Sequence, residues 1–485
     1  MSAPNPLPAA SDPGGTAAKL RPFLLNSNRF APGARIRADT IGHQLGLDNN
    51  TGNAYITYSL LKTIYGRDKV LPEIRNMFDD ALDDQLVDRI NSGDFTHLFV
   101  IFQSHIGEHA FALPWGRLRA FIEKITIPIV VFSLGAISPG HRQDELLHEK
   151  IPEDMRACLL ALSARTVSLG VRGSYTESVL KKIGIGNSRI VGCPTYFEMG
   201  RDRRLTVGEW NEALGVVGLG WFDNAARGEK IHYIFQDSYQ DAPFFKGEIQ
   251  GFEIGPEDLA SLGVPVYDRY IANVWKAFVD GRTAVFADID DWKDYIAGRF
   301  ALAIGTRFHG GVLAINSGVP AIVTNGDPRA QELCEFLGVP YRPDLWGHST
   351  DLDLRRVYEQ TDFAPINARY AGLYDNYMDW LGENGVTPQI EADAPPLERA
   401  RFERTPPLER LRLAARCAEI VMARRDARIA ELFTHAKAME RGYHDVSAEA
   451  AVLRGQVAEL QAHVAELQAN LAELQARLAG TDPEG

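Results

Sequence analysis

The feature that most constrains this chain is a rhythm that starts twice. From about Asn49, short apolar and β-branched runs alternate with amphipathic stretches, and after RIVGCPTYFEMGRDRRLT the alternation begins again at GVVGLGW. A parallel strand must return through a crossover, and a helix is the crossover that also covers the sheet, so the rhythm predicts βα units around parallel sheets. THLFVIFQ (Thr96 to Gln103), PIVVFSLGA (Pro128 to Ala136) and TVSLGVRG (Thr166 to Gly173) read as buried strands of the first unit. SYTESVLKKIGI then reads as a helix, with Ser174 and Glu177 at capping-box spacing. In the second unit GVVGLGW, KIHYIFQD, TAVFAD, FALAIG and PAIVTNG read as strands, and a helix begins at HGGVLAINSG. DPRAQELCEFLG predicts a further helix with Asp327 as N-cap, Pro328 at the first helical position and Gly338 just past the end.

A chain of 485 residues exceeds one ordinary hydrophobic core, which agrees with two domains plus additions. The expected organisation is a disordered leader over 1–40, an α/β domain over 41–205, and a second over 206–346. A Pro-containing charged connector over 347–405, a helical segment over 406–445 and a coiled coil over 446–479 follow. The coiled coil is read from Val457, Leu460, Val464, Leu467, Leu471, Leu474 and Leu478, which alternate three and four apart as an a/d seam and imply a helical partner, most simply a second copy.

Charge and cysteines narrow the function classes. A formal net charge of -13 argues against a general nucleic-acid binder, so any bound anion must meet a local positive pocket. The four cysteines, Cys158, Cys193, Cys334 and Cys417, stand singly without zinc spacing and read as reduced thiols of a cytoplasmic protein. The first residues lack the basic and apolar regions of a secretory signal, and no apolar run reaches the roughly 18 residues of a spanning helix. The protein is expected to be soluble or peripheral to a membrane.

Candidate site residues cluster where strands turn into helices. GTRFHGG puts Arg307 and His309 between glycines at a helix start, where unpaired N–H groups and the positive end of the dipole suit phosphate or carboxylate. Arg307 adds a two-pronged donor, Gly310 and Gly311 remove bulk so that a ligand can approach the backbone, and His309 can exchange a proton near neutral pH. Arg172 is placed at the carboxyl end of a strand beside a helix start. By spacing alone these residues indicate an anion site.

AIGTRFHGGVLAINSGVPAIVTNGDPRAQEL resembles the signature region of the polysaccharide pyruvyl transferase family, with its G-x-R-x-H-G and D-x-R-x-x-E-L segments. SLGVRGSYTESVLKKIGIGNSRIVGCPT is similar to that family's middle block, and DNNTGNAYITYSLLKTI to its opening block, in the family's order from about Asp48 to Pro340. The resemblance implies two Rossmann-like domains facing a cleft, similar to GT-B glycosyltransferases. It implies phosphoenolpyruvate as donor, a sugar or polysaccharide precursor as acceptor, release of phosphate, and no metal or other cofactor. It assigns Arg172 and Arg307 to the donor's phosphate and carboxylate and His309 to the general acid, while Asp327, Arg329 and Glu332 match the D-x-R-x-x-E segment as structural or site support. Cys193, in the turn block, is expected to pack.

The chemistry fits those residue types. Ketal formation from an enol phosphate needs a proton on the methylene carbon, which a nearby histidine can give. A helix start and two arginines lower a histidine's pKa, and bound phosphate and carboxylate would raise it again. One departure from the family lies in SHIGEHAFALPWG, where a glycine-rich run is usual; His105, Glu108 and His109 there are candidates for contact with the acceptor or for its general base. Two rival readings remain at this stage. One is a nucleotide-sugar glycosyltransferase of the same architecture, and the other is an inactive scaffold acting through its coiled coil.

Overall fold

Five residues near the amino terminus, Pro22–Asn26 (PFLLN), are all buried and form β1, an inner strand of the first sheet. The leader expected over 1–40 therefore contains a core strand; its apolar run is too short to stand out beside the surrounding Pro, Ala and Gly. The computed structural model describes residues 20–26, 51–65, 74–78, 81–138, 143–220, 231–236, 277, 281–284, 286, 289–324, 327–345 and 352–388, with 434, 455, 456, 458, 459 and 461–465 near the carboxyl end.

β1 pairs in parallel with β2 (Ile74–Asn76) and with β3 (His97–Ile101), and β3 pairs with β4 (Ile129–Phe132), giving the order β2-β1-β3-β4. A parallel bridge from Leu134 to Val171 carries the arrangement on to β5 (Leu169–Val171), which pairs with β6 (Ser188–Ile190). Helices α1 (Thr51–Tyr65), α2 (Asp84–Arg89), α3 (Trp115–Lys124), α4 (Glu153–Arg165) and α5 (Ser174–Lys182) alternate with these strands along the chain. Leu118, Phe121 and Ile122 of α3 and Met155, Cys158, Leu159 and Leu162 of α4 join Leu98, Val100, Ile129 and Val131 in one buried cluster.

The second sheet is also all parallel, in the order β11-β10-β7-β8-β9. Its strands are β7 (Gly215–Leu219), β8 (Ile231–Ile234), β9 (Thr283–Ala284), β10 (Phe300–Gly305) and β11 (Ala321–Val323), accompanied by α6 (Ile289–Ile296), α7 (Phe308–Asn316) and α8 (Pro328–Leu337). β10, FALAIG, is buried along its whole length between β7 and β11, which is why it reads as an unbroken apolar run and not as an alternating one. α8 has the predicted boundaries: the Asp327 side chain accepts from the N–H of Ala330, and Gly338 ends the helix in the left-handed conformation.

Two further expectations change. Ser174 and Glu177 form no capping box; Gly173 is the N-cap of α5, and Glu177 pairs with Lys181 at 2.7 Å. The N–H of Thr176 goes instead to Glu332 of α8, 156 residues away. Part of the connector expected over 347–405 is folded as α9 (Leu354–Glu359), α10 (Ala364–Ala368) and α11 (Tyr370–Glu383). α11 returns to the first sheet, where fully buried Trp380 meets the Phe132 ring edge-on at 5.2 Å and donates to the carbonyl of Ser168 at 3.3 Å.

The two sheets belong to one unit, residues 1–414, and a buried polar cluster joins their helices. Glu198 accepts from the Tyr55 hydroxyl at 2.5 Å, from Lys62 at 3.0 Å and from Lys293 at 2.8 Å. Burial opposes ionisation of Glu198, but Lys62 and Lys293 outweigh it and hold the carboxyl below its ordinary range. Residues 415–485 form a separate unit whose described positions are all helical, with Val464 exposed. The remainder of the expected helical segment and coiled coil lies outside the described residues. No helix among the described residues is long and apolar enough to cross a membrane.

Candidate functional site

Three helix starts line one cavity of about 300 Å³. Asn53 comes from the first turn of α1; Arg307, Phe308 and His309 come from the start of α7; Asp327, Arg329 and Ala330 come from the start of α8. Arg172 enters from the end of β5, just before α5. The positive dipole ends of these helices gather here beside three guanidinium groups. A chain of net charge -13 thus concentrates positive potential at one place.

Arg172 is buried and held from three sides. Its Nε donates to the carbonyl and the hydroxyl of Ser133 at 3.0 and 3.2 Å, and its Nη1 donates to the Ser104 hydroxyl at 2.8 Å. Nη2 is buried with no hydrogen-bond partner among the described residues, so the guanidinium is fixed with one donor edge unspent there. The neighbouring Gly135 makes this possible, since a Cβ there would stand 2.7 Å from Cδ of Arg172. Burial lowers the pKa of Arg172, although a guanidinium remains cationic throughout the physiological range.

Arg329 is paired before any ligand arrives. It forks onto Asp327 through Nε at 3.1 Å and Nη2 at 2.7 Å, and the Asp327 charge raises its pKa. Asp327 thereby caps α8 and orients Arg329 together. Glu332 does not line the cavity; it accepts from the N–H and hydroxyl of Thr176 at 2.9 and 2.7 Å and joins α8 to α5. Burial pushes its carboxyl up to about 7, against those hydrogen bonds and the charge of Arg172.

His309 lies in the first turn of α7, with Nε2 3.6 Å from Sγ of Cys193. Burial, then Arg172, then Arg329 hold its pKa well below the ordinary value. The ring is therefore neutral near pH 7 in the unliganded protein, and Arg329 joins Arg172 and Arg307 on the cavity wall. Among the possible acceptor-side residues, His105 and His109 line the cavity and Glu108 does not; Glu108 is exposed and faces Lys150 at 3.5 Å. The His105 pKa is pushed down to about 3 by burial and by the charges of His109 and Arg172. Its Nδ1 accepts from the N–H of Gln103 at 3.1 Å, leaving Nε2–H as a donor, so the ring is not arranged as a general base.

Gly310 packs against a lining residue. A Cβ on it would meet Nε2 of Gln236 at 2.3 Å, so Gly310 lets that side chain lie close to α7, while a Cβ on Gly311 would make only ordinary contact with Val323. Gln236 is itself a lining residue that sequence reading missed, along with Ser104 and Asn53. Its position at the carboxyl end of β8 was the available signal, because ligands of open α/β sheets bind at those ends. Ser133, which holds Arg172, carried no signal beyond the end of its strand.

The sequence matches the family model for polysaccharide pyruvyl transferase over residues 50–328. No curated protein matches it. Among solved structures, the chain is similar to the UDP-GlcNAc 2-epimerase of Methanocaldococcus jannaschii, crystallised with UDP-GlcNAc and UDP, at 12% identity and a TM-score of 0.33, over 74% of this chain and 97% of that one. It is also similar to the glycotransferase of kitacinnamycin at 13% identity and a TM-score of 0.28, over 76% of this chain and 96% of that one. The family match spans more than half of the sequence and contains Arg172, Arg307, His309 and Asp327, and the chain belongs to the polysaccharide pyruvyl transferase family.

Proposed function

We propose that this protein moves the enolpyruvyl unit of phosphoenolpyruvate onto two hydroxyls of a sugar in a polysaccharide or its precursor, forming a ketal and releasing phosphate. The observation that carries the reading is the meeting of Arg172, Arg307, Arg329 and His309 on one cavity at three helix starts. A small ligand bearing both phosphate and carboxylate matches that concentration of positive charge, and arginine forks suit both groups.

His309 delivers a proton to the methylene carbon, and C2 gains oxocarbenium character. The first sugar hydroxyl adds to C2 and loses its proton, phosphate departs with the C2–O bond electrons, and the second hydroxyl adds and loses its proton to close the ketal. The neutral His309 of the unliganded site must gain a proton for this, and the donor's phosphate and carboxylate raise its pKa by opposing Arg172 and Arg329. Acid competence is thus coupled to donor binding. Three guanidinium groups supply the charge stabilisation, so this route calls for no metal.

The two parallel-sheet lobes around one cavity are assigned to the GT-B-like class in this proposal, and the protein to the cytoplasm. The C-terminal heptads are assigned to homo-oligomerisation. The deciding measurement is phosphate release from phosphoenolpyruvate with candidate sugar acceptors, beside binding of nucleotide sugars. Acceptor-dependent phosphate release unaffected by chelators supports pyruvyl transfer; affinity for nucleotide sugars alone, or turnover abolished by a chelator, overturns it.

A further inference from the structure

A histidine that exchanges protons is commonly oriented by a hydrogen bond on its other ring nitrogen, and that bond decides which nitrogen carries the proton. No carboxylate or carbonyl does this for His309 among the described residues. Its Nε2 faces Sγ of Cys193 at 3.6 Å. Cys193 is fully buried, and it also accepts from the Thr195 hydroxyl, 3.2 Å from Sγ. Thr195 is fixed in turn, fully buried and with its carbonyl accepting from Nδ2 of Asn316 at 2.8 Å. Among the described residues the hydrogen-bond contacts of the thiol are Thr195 and His309, so with the sulfur accepting from Thr195 its hydrogen is directed to Nε2 of His309. Nδ1 makes no hydrogen bond within the described protein, and His309 lines the cavity.

We propose that Cys193 is the positioning residue of His309: its S–H donates to Nε2, places the ring proton on Nδ1, and makes Nδ1 the atom that exchanges a proton with the ligand. This inference rests on the reading of His309 as the general acid. When donor binding protonates the ring, the new proton sits on Nε2, the thiol hydrogen rotates away, and Sγ accepts from Nε2–H. The Nδ1 proton then passes to the methylene carbon, leaving a neutral ring protonated on Nε2. A thiol serves both states because sulfur can donate and accept. A carboxylate in its place would pair with Arg172 or Arg329 and cancel charge needed for the donor.

The test is long-range proton–nitrogen correlation NMR of the full chain labelled with nitrogen-15 histidine, with the His309 signals identified by their loss in His309→Gln. The expected result at pH 7.5 is an Nδ1–H tautomer in the parent, a shift toward Nε2–H in Cys193→Ala, and retention of Nδ1–H in Cys193→Ser, whose hydroxyl can still donate. With phosphoenolpyruvate, Cys193→Ala should lose about tenfold or more in kcat at unchanged KM, the scale for losing a histidine's orienting partner, and Cys193→Ser should recover part of it. An Nε2–H tautomer in the parent, or one unchanged in Cys193→Ala, overturns the proposal. A parent protein inert toward phosphoenolpyruvate would overturn pyruvyl transfer alone, because the tautomer is read without turnover.

Discussion

Arg172 Nε donates to both the carbonyl and the hydroxyl of Ser133, and Ser133 is the one non-glycine residue with positive φ among the described residues, at 58°. A left-handed serine is a cost that the surrounding structure must offset, and such residues recur where a side chain has to be aimed. Here the twist at the end of β4 turns both oxygens of one residue onto one guanidinium nitrogen. Ser133→Gly should keep the carbonyl bond, relieve the strain and lose the hydroxyl bond. Thermal stability should stay within ~1 kcal/mol of the parent, since strain relief and glycine's greater unfolded-state freedom oppose each other. Affinity for phosphoenolpyruvate, followed by titration calorimetry, should fall about threefold to tenfold, the worth of one hydrogen bond. A marked loss of stability with unchanged affinity would make Ser133 a folding residue only.

His309 and Arg307 should separate kinetically although they are two residues apart. His309→Ala should leave folding and donor binding nearly intact while lowering kcat by about two to four orders of magnitude, the range for a general acid. Arg307→Ala should chiefly weaken donor binding. If both variants turned over phosphoenolpyruvate like the parent, the site would have to be sought elsewhere.

The protonation of His309 supplies an independent check on the three-arginine pocket. Burial, Arg172 and Arg329 all depress its pKa, so the direction of each change is fixed. Arg329→Gln should raise the pKa by removing a positive neighbour, and inorganic phosphate or phosphoenolpyruvate should raise it by adding a negative one. NMR titration of the His309 ring reads both shifts. A pKa that falls on adding phosphate would mean that the anion binds away from His309.

Much of this arrangement was legible in the residues, and the parts that were not have physical reasons. β10 and α7 were readable because a strand buried on both faces must be continuously apolar, and because glycines around Arg307 and His309 mark a close-packed helix start. α8 was readable through local capping at Asp327 and Gly338. Long-range contacts were not. Glu332 displaced the capping box predicted at Ser174, and no local pattern reveals an acceptor on another helix. β1 is short and framed by leader-like composition. α11 hid because its buried face is aromatic, through Tyr370, Tyr377 and Trp380, in a stretch whose charges and prolines suggested a linker. Cys193 was expected only to pack, since its neighbour His309 lies 116 residues away.

Glu332 makes a prediction about stability with a definite sign. Its carboxyl lies between α8 and α5, accepting from Thr176 in the presence of Arg172 and Asp327, and burial raises its pKa from 4.5 to about 7 in the folded protein. Between those values the folded chain holds a proton that the unfolded chain has released, so stability from this group falls as pH rises. It is fully present below about 4.5 and lost once the pH passes about 7. Glu332→Gln keeps the shape and one acceptor but cannot titrate. The parent's melting temperature, measured relative to that variant, should hold steady below pH 4.5, decline through the window and level off above 7. The comparison with the variant removes the contributions of the other titrating groups, provided they are unchanged by the substitution. A difference that stayed flat across the window would show that Glu332 is ionised in the folded protein throughout. A difference that rose with pH would show that Arg172 outweighs burial and that the Thr176 hydrogen bonds hold a carboxylate.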